Sequence, residues 1–167
     1  MAFKIVFTEE PDEYLHDDPH LASGIGLMVA GNLTENFVSV LYDWDKRAYR
    51  SQWFDALRHL LNGGDRAALI ISYVAPDVGQ CWALYRGEGE LVHVQQHHTL
   101  LGDNGPAKFS VGRAHSFMMD RETADEDGHR ISEWDVGLVD VQHFFDHFDE
   151  LSGGDRRDDW ITYSQRT

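Results

Sequence analysis

Residues 67–74 read Ala-Ala-Leu-Ile-Ile-Ser-Tyr-Val, an almost continuous apolar run. A strand with no polar face needs cover on both sides, so this run predicts a central strand buried between two layers. The segment just before it supplies one layer. Between Asp45 and Leu61 the residues Tyr49, Trp53, Ala56, Leu57, Leu60 and Leu61 recur at three- and four-residue steps. That spacing gathers them on one stripe of an amphipathic helix. Asp43 or Asp45 can cap its start, and Gly63-Gly64 ends it.

The rest of the chain reads mostly as short strands. Phe3–Phe7, Ile25–Val29 and Phe37–Tyr42 are apolar and β-branched, and Gly31-Asn32-Leu33-Thr34 supplies turn chemistry between the second and third. Cys81–Arg86 and Leu91–Gln96 flank Gly87-Glu88-Gly89-Glu90, a hairpin signal. Ile131–Leu138 alternates, with Trp134, Val136 and Leu138 on one face and Glu133 and Asp135 on the other. Val139–Leu151 is a second helix, its stripe formed by Val141, Phe144, Phe145, Phe148 and Leu151. Residues 9–20, with two prolines, and 101–112, rich in glycine, are expected loops. The expected fold is α+β: a single domain over residues 1–151, with a largely antiparallel sheet covered on one face by two amphipathic helices. Residues 152–167 turn to Gly, Asp and Arg and are expected to form a loosely ordered tail.

Charge narrows the function. The 167 residues carry 29 acids against 14 Lys and Arg, a formal net charge of −15. A nucleic-acid binder needs a basic surface to neutralise phosphates, and an anionic membrane repels such a chain. An acidic surface suits solubility or a basic partner. No stretch approaches the ~18 apolar residues of a membrane helix, and the acidic start does not resemble a secretory signal. A cytoplasmic location is expected. The single cysteine, Cys81, rules out an internal disulfide and reads as a buried, inert thiol.

Catalytic signatures are weak. No nucleophile elbow, P-loop or dinucleotide fingerprint occurs. Among ten histidines, His143 and His147 stand one helical turn apart beside Asp146. They are the basis of the alternative reading, a small metal-dependent hydrolase. His93, His97 and His98 near a strand end offer no identifiable third ligand. His16, Asp17, Asp18 and His20 could at most hold a cation weakly. No catalytic residue, cofactor or metal is expected.

Three ordered patterns are more distinctive than packing requires. The first is Tyr42-x-Trp44-x4-Tyr49-x2-Gln52-Trp53-x2-Ala56-Leu57. The second is Ala67–Ser72 followed by Trp82-x-Leu84-Tyr85-Arg86 and Val92-x-Val94-Gln95. The third is Glu126-Asp127-Gly128-His129-Arg130-Ile131-Ser132-Glu133-Trp134, leading into Phe144-Phe145. Together, from about Gly31 to Phe148, they resemble the immunity proteins of bacterial contact-dependent growth inhibition systems. The resemblance implies a non-enzymatic cytosolic inhibitor that binds the C-terminal domain of a cognate toxin. A basic nuclease is the expected partner, because nucleases hold phosphates and would attract an acidic inhibitor.

The motif residues read mostly as structural, Trp53, Leu57, Leu69, Ile71, Trp134 and Phe144 as core and Glu126-Asp127-Gly128 as a turn, so the toxin-binding surface is expected among exposed acids rather than at the packed motif positions. From Asp120 to Asp135 there are seven acids against Arg121 and Arg130; residues 9–18 hold six with no base. The candidate toxin-binding residues are Asp120, Glu122, Asp125, Glu126 and Asp127, with Glu9, Glu10, Asp12 and Glu13 of the N-terminal loop.

Overall fold

The computed structural model describes residues 2–8, 23–74, 77–98 and 110–152. Among these residues seven strands form two antiparallel sheets. The first is a meander of β1 (Ala2–Phe7), β2 (Ser23–Gly31) and β3 (Leu33–Val40). Helix α1 (Lys46–Leu61) then crosses to the second sheet. That sheet runs in sequence order through β4 (Arg66–Val74), β5 (Asp77–Arg86), β6 (Leu91–His97) and β7 (Glu133–Gly137). A 3-10 helix occupies Val111–Phe117. Helices α2 (Leu138–Asp146) and α3 (Phe148–Leu151) close the described chain. The α+β class and the antiparallel pairing agree with the sequence. The strands, however, divide between two sheets. The expected second helix breaks at His147, whose φ of −111° is not helical.

One core joins the sheets. Phe3, Ile5, Met28, Leu33 and Phe37 of the first sheet, Tyr49, Trp53, Leu57 and Leu60 of α1, and Val141, Phe144 and Phe148 of α2 and α3 are all buried in it. Trp53 is its hub, stacked on Phe7 at 5.1 Å and edge-on to Phe37 at 5.9 Å. The Phe37 ring lies where a Cβ on Gly26 would sit, so only glycine is tolerated there. On the flank of α1, Phe54 stacks on Phe145 at 4.6 Å and meets Phe148 edge-on at 5.4 Å. The Arg50 guanidinium donates through Nε and Nη2 to Ser152 Oγ at 3.2 Å. Ser152, where the expected tail begins, is thus buried against α1, and 153–167 lie outside the described residues.

Within the 67–74 run the cover is partial: Ala67 to Ile71 are all buried, Ser72 and Tyr73 are half-buried, and Val74 is exposed. Among the described residues, however, β4 is an edge strand, paired with β5 alone. An unpaired buried edge leaves backbone groups whose desolvation is costly. Helix α1 satisfies them with side chains. Gln52 acts as a strand surrogate: its Nε2 donates to Ala68 O at 2.7 Å, and its Oε1 accepts from Ile70 N at 2.9 Å. Trp53 Nε1 donates to Ile70 O at 2.7 Å. The Tyr49 hydroxyl accepts from Tyr73 N at 2.9 Å and donates to Val40 O at 2.8 Å, bridging the two sheets. Burial pushes that hydroxyl up to about 12, which keeps it a neutral donor and acceptor. The Tyr-x2-Gln-Trp spacing therefore has a physical reason. It places three polar-tipped side chains along one bare strand edge.

Candidate functional site

Alternation gives the second sheet two unlike faces. Leu69, Ile71, Trp82, Leu84, Val92, Val94 and Val136 point into the core and are buried. By register, Arg66, Tyr85, Gln95, His93, Glu133 and Asp135 share the opposite face with the buried Ala68, Ile70, Cys81 and Ala83, so this face is mixed, apolar at its centre and polar around it. Burial pushes the Cys81 thiol on that face up to about 12, so it stays protonated.

A segment from Met118 to Ile131 crosses this face as a strap, held by four side chains of the sheet. Arg66 Nη1 donates to Met119 O at 3.2 Å and pairs with Asp120 Oδ1 at 3.0 Å. Tyr85 Oη donates to Met119 O at 3.2 Å. Gln95 Nε2 donates to Glu122 O at 2.8 Å and to Glu133 Oε2 at 2.7 Å. Arg121 forks onto Glu133, Nε to Oε2 at 2.7 Å and Nη2 to Oε1 at 2.6 Å. The Arg121 guanidinium holds the Glu133 carboxyl below the usual range, helped by the Gln95 amide.

Beyond these anchors the strap folds into a small hairpin. Ala124 bridges Arg130, and Ile131 N donates to Thr123 O at 3.0 Å. Asp125 closes the tip: its Oδ1 accepts from Asp127 N at 3.0 Å and His129 N at 2.8 Å. Gly128, with φ of +82°, completes the turn in a conformation that disfavours side chains.

Asp120, Glu122, Asp125, Glu126 and Asp127 are thus all exposed on one anchored segment. They are not equivalent. Asp120 is paired with Arg66, and Asp125 is engaged in the turn. Among the described residues Glu122, Glu126 and Asp127 make no ion pair. Glu9, Glu10, Asp12 and Glu13 lie outside the described residues, as do His16, Asp17, Asp18 and His20.

One cluster could not be found by spacing along the chain. His93 Nδ1 lies 2.6 Å from Asp135 Oδ1 and 3.6 Å from Glu133 Oε1. One ligand atom from each lies within 4.8 Å of the others, close enough to share a cation. Here the guanidinium of Arg121 already supplies positive charge to both Glu133 oxygens. The arrangement works as an ion-pair network that fixes the strap. Nearby, Arg86, Gly87, Glu88, Leu91, His93 and Arg121 line an open depression of about 600 Å³. A second hollow, of about 350 Å³, lies between α1 and the 3-10 helix, where His59 and His115 stack at 3.8 Å. Burial and the neighbouring His59 lower the affinity of His115 for a proton.

The hydrolase candidates are arranged differently. His143 and His147 are exposed with ring centroids 4.6 Å apart, but His147 Nδ1 is within 2.9 Å of His143 O. Asp146 Oδ1 accepts from Gln142 at 2.8 Å. The three-donor cluster found among the described residues does not include them. No helix is long and apolar enough to cross a membrane among these residues.

Comparison with known proteins adds a separate finding. A family model described as the CdiI N-terminal domain matches residues 39–144, from the end of β3 through the strap to α2. The immunity protein CdiI of Enterobacter cloacae is 33% identical over 106 residues, covering 61% of this chain and 70% of its own length. Among solved structures, a chain of the CdiA-CT/CdiI toxin and immunity complex from Enterobacter cloacae aligns with a TM-score of 0.74 and 26% identity. The alignment covers 89% of this chain and 99% of that one.

Proposed function

The chain belongs to the CdiI immunity-protein family, and from that premise we propose that it binds and neutralises the C-terminal domain of a cognate contact-dependent growth inhibition toxin, acting in the cytoplasm as a one-to-one inhibitor. Its work is recognition rather than catalysis. The partner chemistry follows from charge. At −15, the inhibitor is steered onto a basic surface, and a nuclease domain offers such a surface because it holds phosphates. The working unit on this reading extends at least to Ser152, whose side chain is buried against α1.

The observation that carries this reading is the anchored acidic strap. Acids on a slack loop would lose conformational freedom on binding, whereas these are held before the partner arrives. Arg66, Tyr85, Gln95 and Glu133 fix its backbone and its one forked arginine. Glu122, Glu126 and Asp127 then project from it as the principal contacts, with Asp120 adding to the field and Asp125 shaping the tip. Glu9, Glu10, Asp12 and Glu13 are a second acidic contribution.

Co-expression of the chain with its toxin domain tests the proposal. The expected result is co-purification in equal amounts and survival of toxin-expressing cells. Survival without a complex, or no protection at all, overturns it.

A further inference from the structure

We infer that His93, Glu133 and Asp135 form a site for a zinc-class divalent cation, and that the cation competes with Arg121 for Glu133. The site is additional to the toxin-binding reading and does not depend on it.

The pairing of β6 with β7 builds the donor set. His93 stands directly opposite Asp135, and Glu133, two residues before Asp135, shares its face of the strand. A Cβ on Gly87 would meet His93 Nε2 at 2.5 Å, so the bare backbone of that glycine makes room for one edge of the ring. The Nδ1 edge faces the two carboxylates, 2.6 Å from Asp135 Oδ1 and 3.6 Å from Glu133 Oε1. The side chains of His93 and Glu133 are only 14% and 15% exposed. Gln95 Nε2 donates to the other Glu133 oxygen, Oε2, at 2.7 Å, which holds the carboxylate in place.

Imidazole nitrogen and carboxylate oxygen bind zinc at about 2.0–2.2 Å, which sets tetrahedral ligands about 3.3–3.6 Å apart. The His93–Glu133 separation is already in that range. The exposed Asp135 opens the shorter separation by turning its carboxylate. One nitrogen with two carboxylates suits zinc and its neighbours better than magnesium or calcium, which prefer oxygen alone. His93 also lines the open depression of about 600 Å³, which gives the ion a way in and leaves its fourth position to water.

Arg121 is the competitor. It lines the same depression, and its fork occupies both Glu133 oxygens, at 2.7 and 2.6 Å. A metal ion at Glu133 Oε1 and the guanidinium are like charges at a shared oxygen, so one displaces the other. Uptake of the ion therefore frees Arg121 and removes one anchor of the strap. Arg66, Tyr85 and Gln95 still hold the strap backbone, so it loosens without coming away.

The test is calorimetric titration of the purified chain with zinc alone, with thermal midpoints of the variants recorded. His93→Ala and Asp135→Asn should each weaken uptake by at least about tenfold. The exposed Asp135 keeps the test open if His93→Ala impairs folding. Arg121→Ala removes the competitor and should tighten uptake by about two- to fivefold, the worth of an exposed ion pair. Zinc should speed amide exchange from 119 to 131 in the wild type but not in Arg121→Ala. The His143→Ala/His147→Ala pair, on another face, should change nothing. No uptake by the wild type, uptake unchanged in both His93→Ala and Asp135→Asn, or zinc displaced by millimolar magnesium overturns the inference. So does zinc that binds the wild type and Arg121→Ala equally tightly and leaves exchange in the strap unaltered.

Discussion

The two faces of the second sheet are held by different forces. On one, Leu69, Ile71, Trp82, Leu84, Val92, Val94 and Val136 lose their water against a common core. On the other, around the buried Ala68, Ile70, Cys81 and Ala83, the side chains of Arg66, Tyr85, Gln95 and Glu133 clamp a strap by hydrogen bonds and ion pairs. Apolar burial is non-directional and strong in sum, so the first face sets the stability of the fold. Hydrogen bonds and exposed pairs contribute little net energy but fix geometry. The second face therefore sets where the acids stand. A recognition protein gains from this division, because substitutions on the strap can change its partner without threatening the core.

Three substitutions would sharpen or break that contrast. Trp53→Ala removes the aromatic hub of the core and should cost about 3–5 kcal/mol, read from denaturant unfolding. An unchanged midpoint would mean that the core face does not carry the fold. Gln52→Ala strands Ala68 O and Ile70 N on a buried edge and should cost about 1–3 kcal/mol. Gln52→Leu, similar in bulk, should not rescue it, which distinguishes lost hydrogen bonds from lost packing. Arg121→Ala should cost only about 0.2–1 kcal/mol, as for an exposed pair. Amide exchange from 119 to 131 should nevertheless accelerate while the core strands keep their protection. Acceleration spread equally over both faces would break the contrast.

Acid should act in two stages, first on the 3-10 helix and then on the strap's anchor. The proton affinity of His115 is lowered in the fold, so the unfolded chain binds the proton more readily. Stability contributed by neutral His115 is full above its ordinary pKa of 6.5 and declines as pH falls from there through the lowered folded value. Glu133 is also lowered, but as a carboxylate it stabilises above its ordinary 4.5 and loses that contribution as pH falls through its folded value. Exchange monitored against pH should thus loosen the 3-10 helix before the Arg121–Glu133 anchor. The reverse order would contradict these assignments.

Much of this was legible in the sequence. The 3.6-residue period of Tyr49, Trp53, Leu57 and Leu60 fixed α1, and Asp45 is its cap. The alternation of Glu133 to Val136 assigned the faces of β7 correctly. Trp134, on the core side, is half-buried beside Trp82 at 6.1 Å. The edge position of β4 was hidden because a strand covered on both faces reads the same whether or not it has two neighbours. The sequence marks Gln52 as part of a distinctive pattern without giving it a task; only the fold shows it facing Ala68 and Ile70. The strap's exposure followed from its composition. Its anchoring did not, since Arg66 and Asp120 or His93 and Asp135 meet across 54 and 42 residues of chain. Pairing over such separations leaves no local period.

The central claim is that a fixed acidic strap meets a basic toxin surface. Its most direct test is the association rate of the toxin domain at low and high salt for the wild type and for Glu122→Lys/Glu126→Lys/Asp127→Lys. The account predicts slower association of the triple variant at low salt, a gap that narrows as salt screens the charges, and faster dissociation from lost contacts. Association and dissociation rates equal to wild type at both salt concentrations would contradict it.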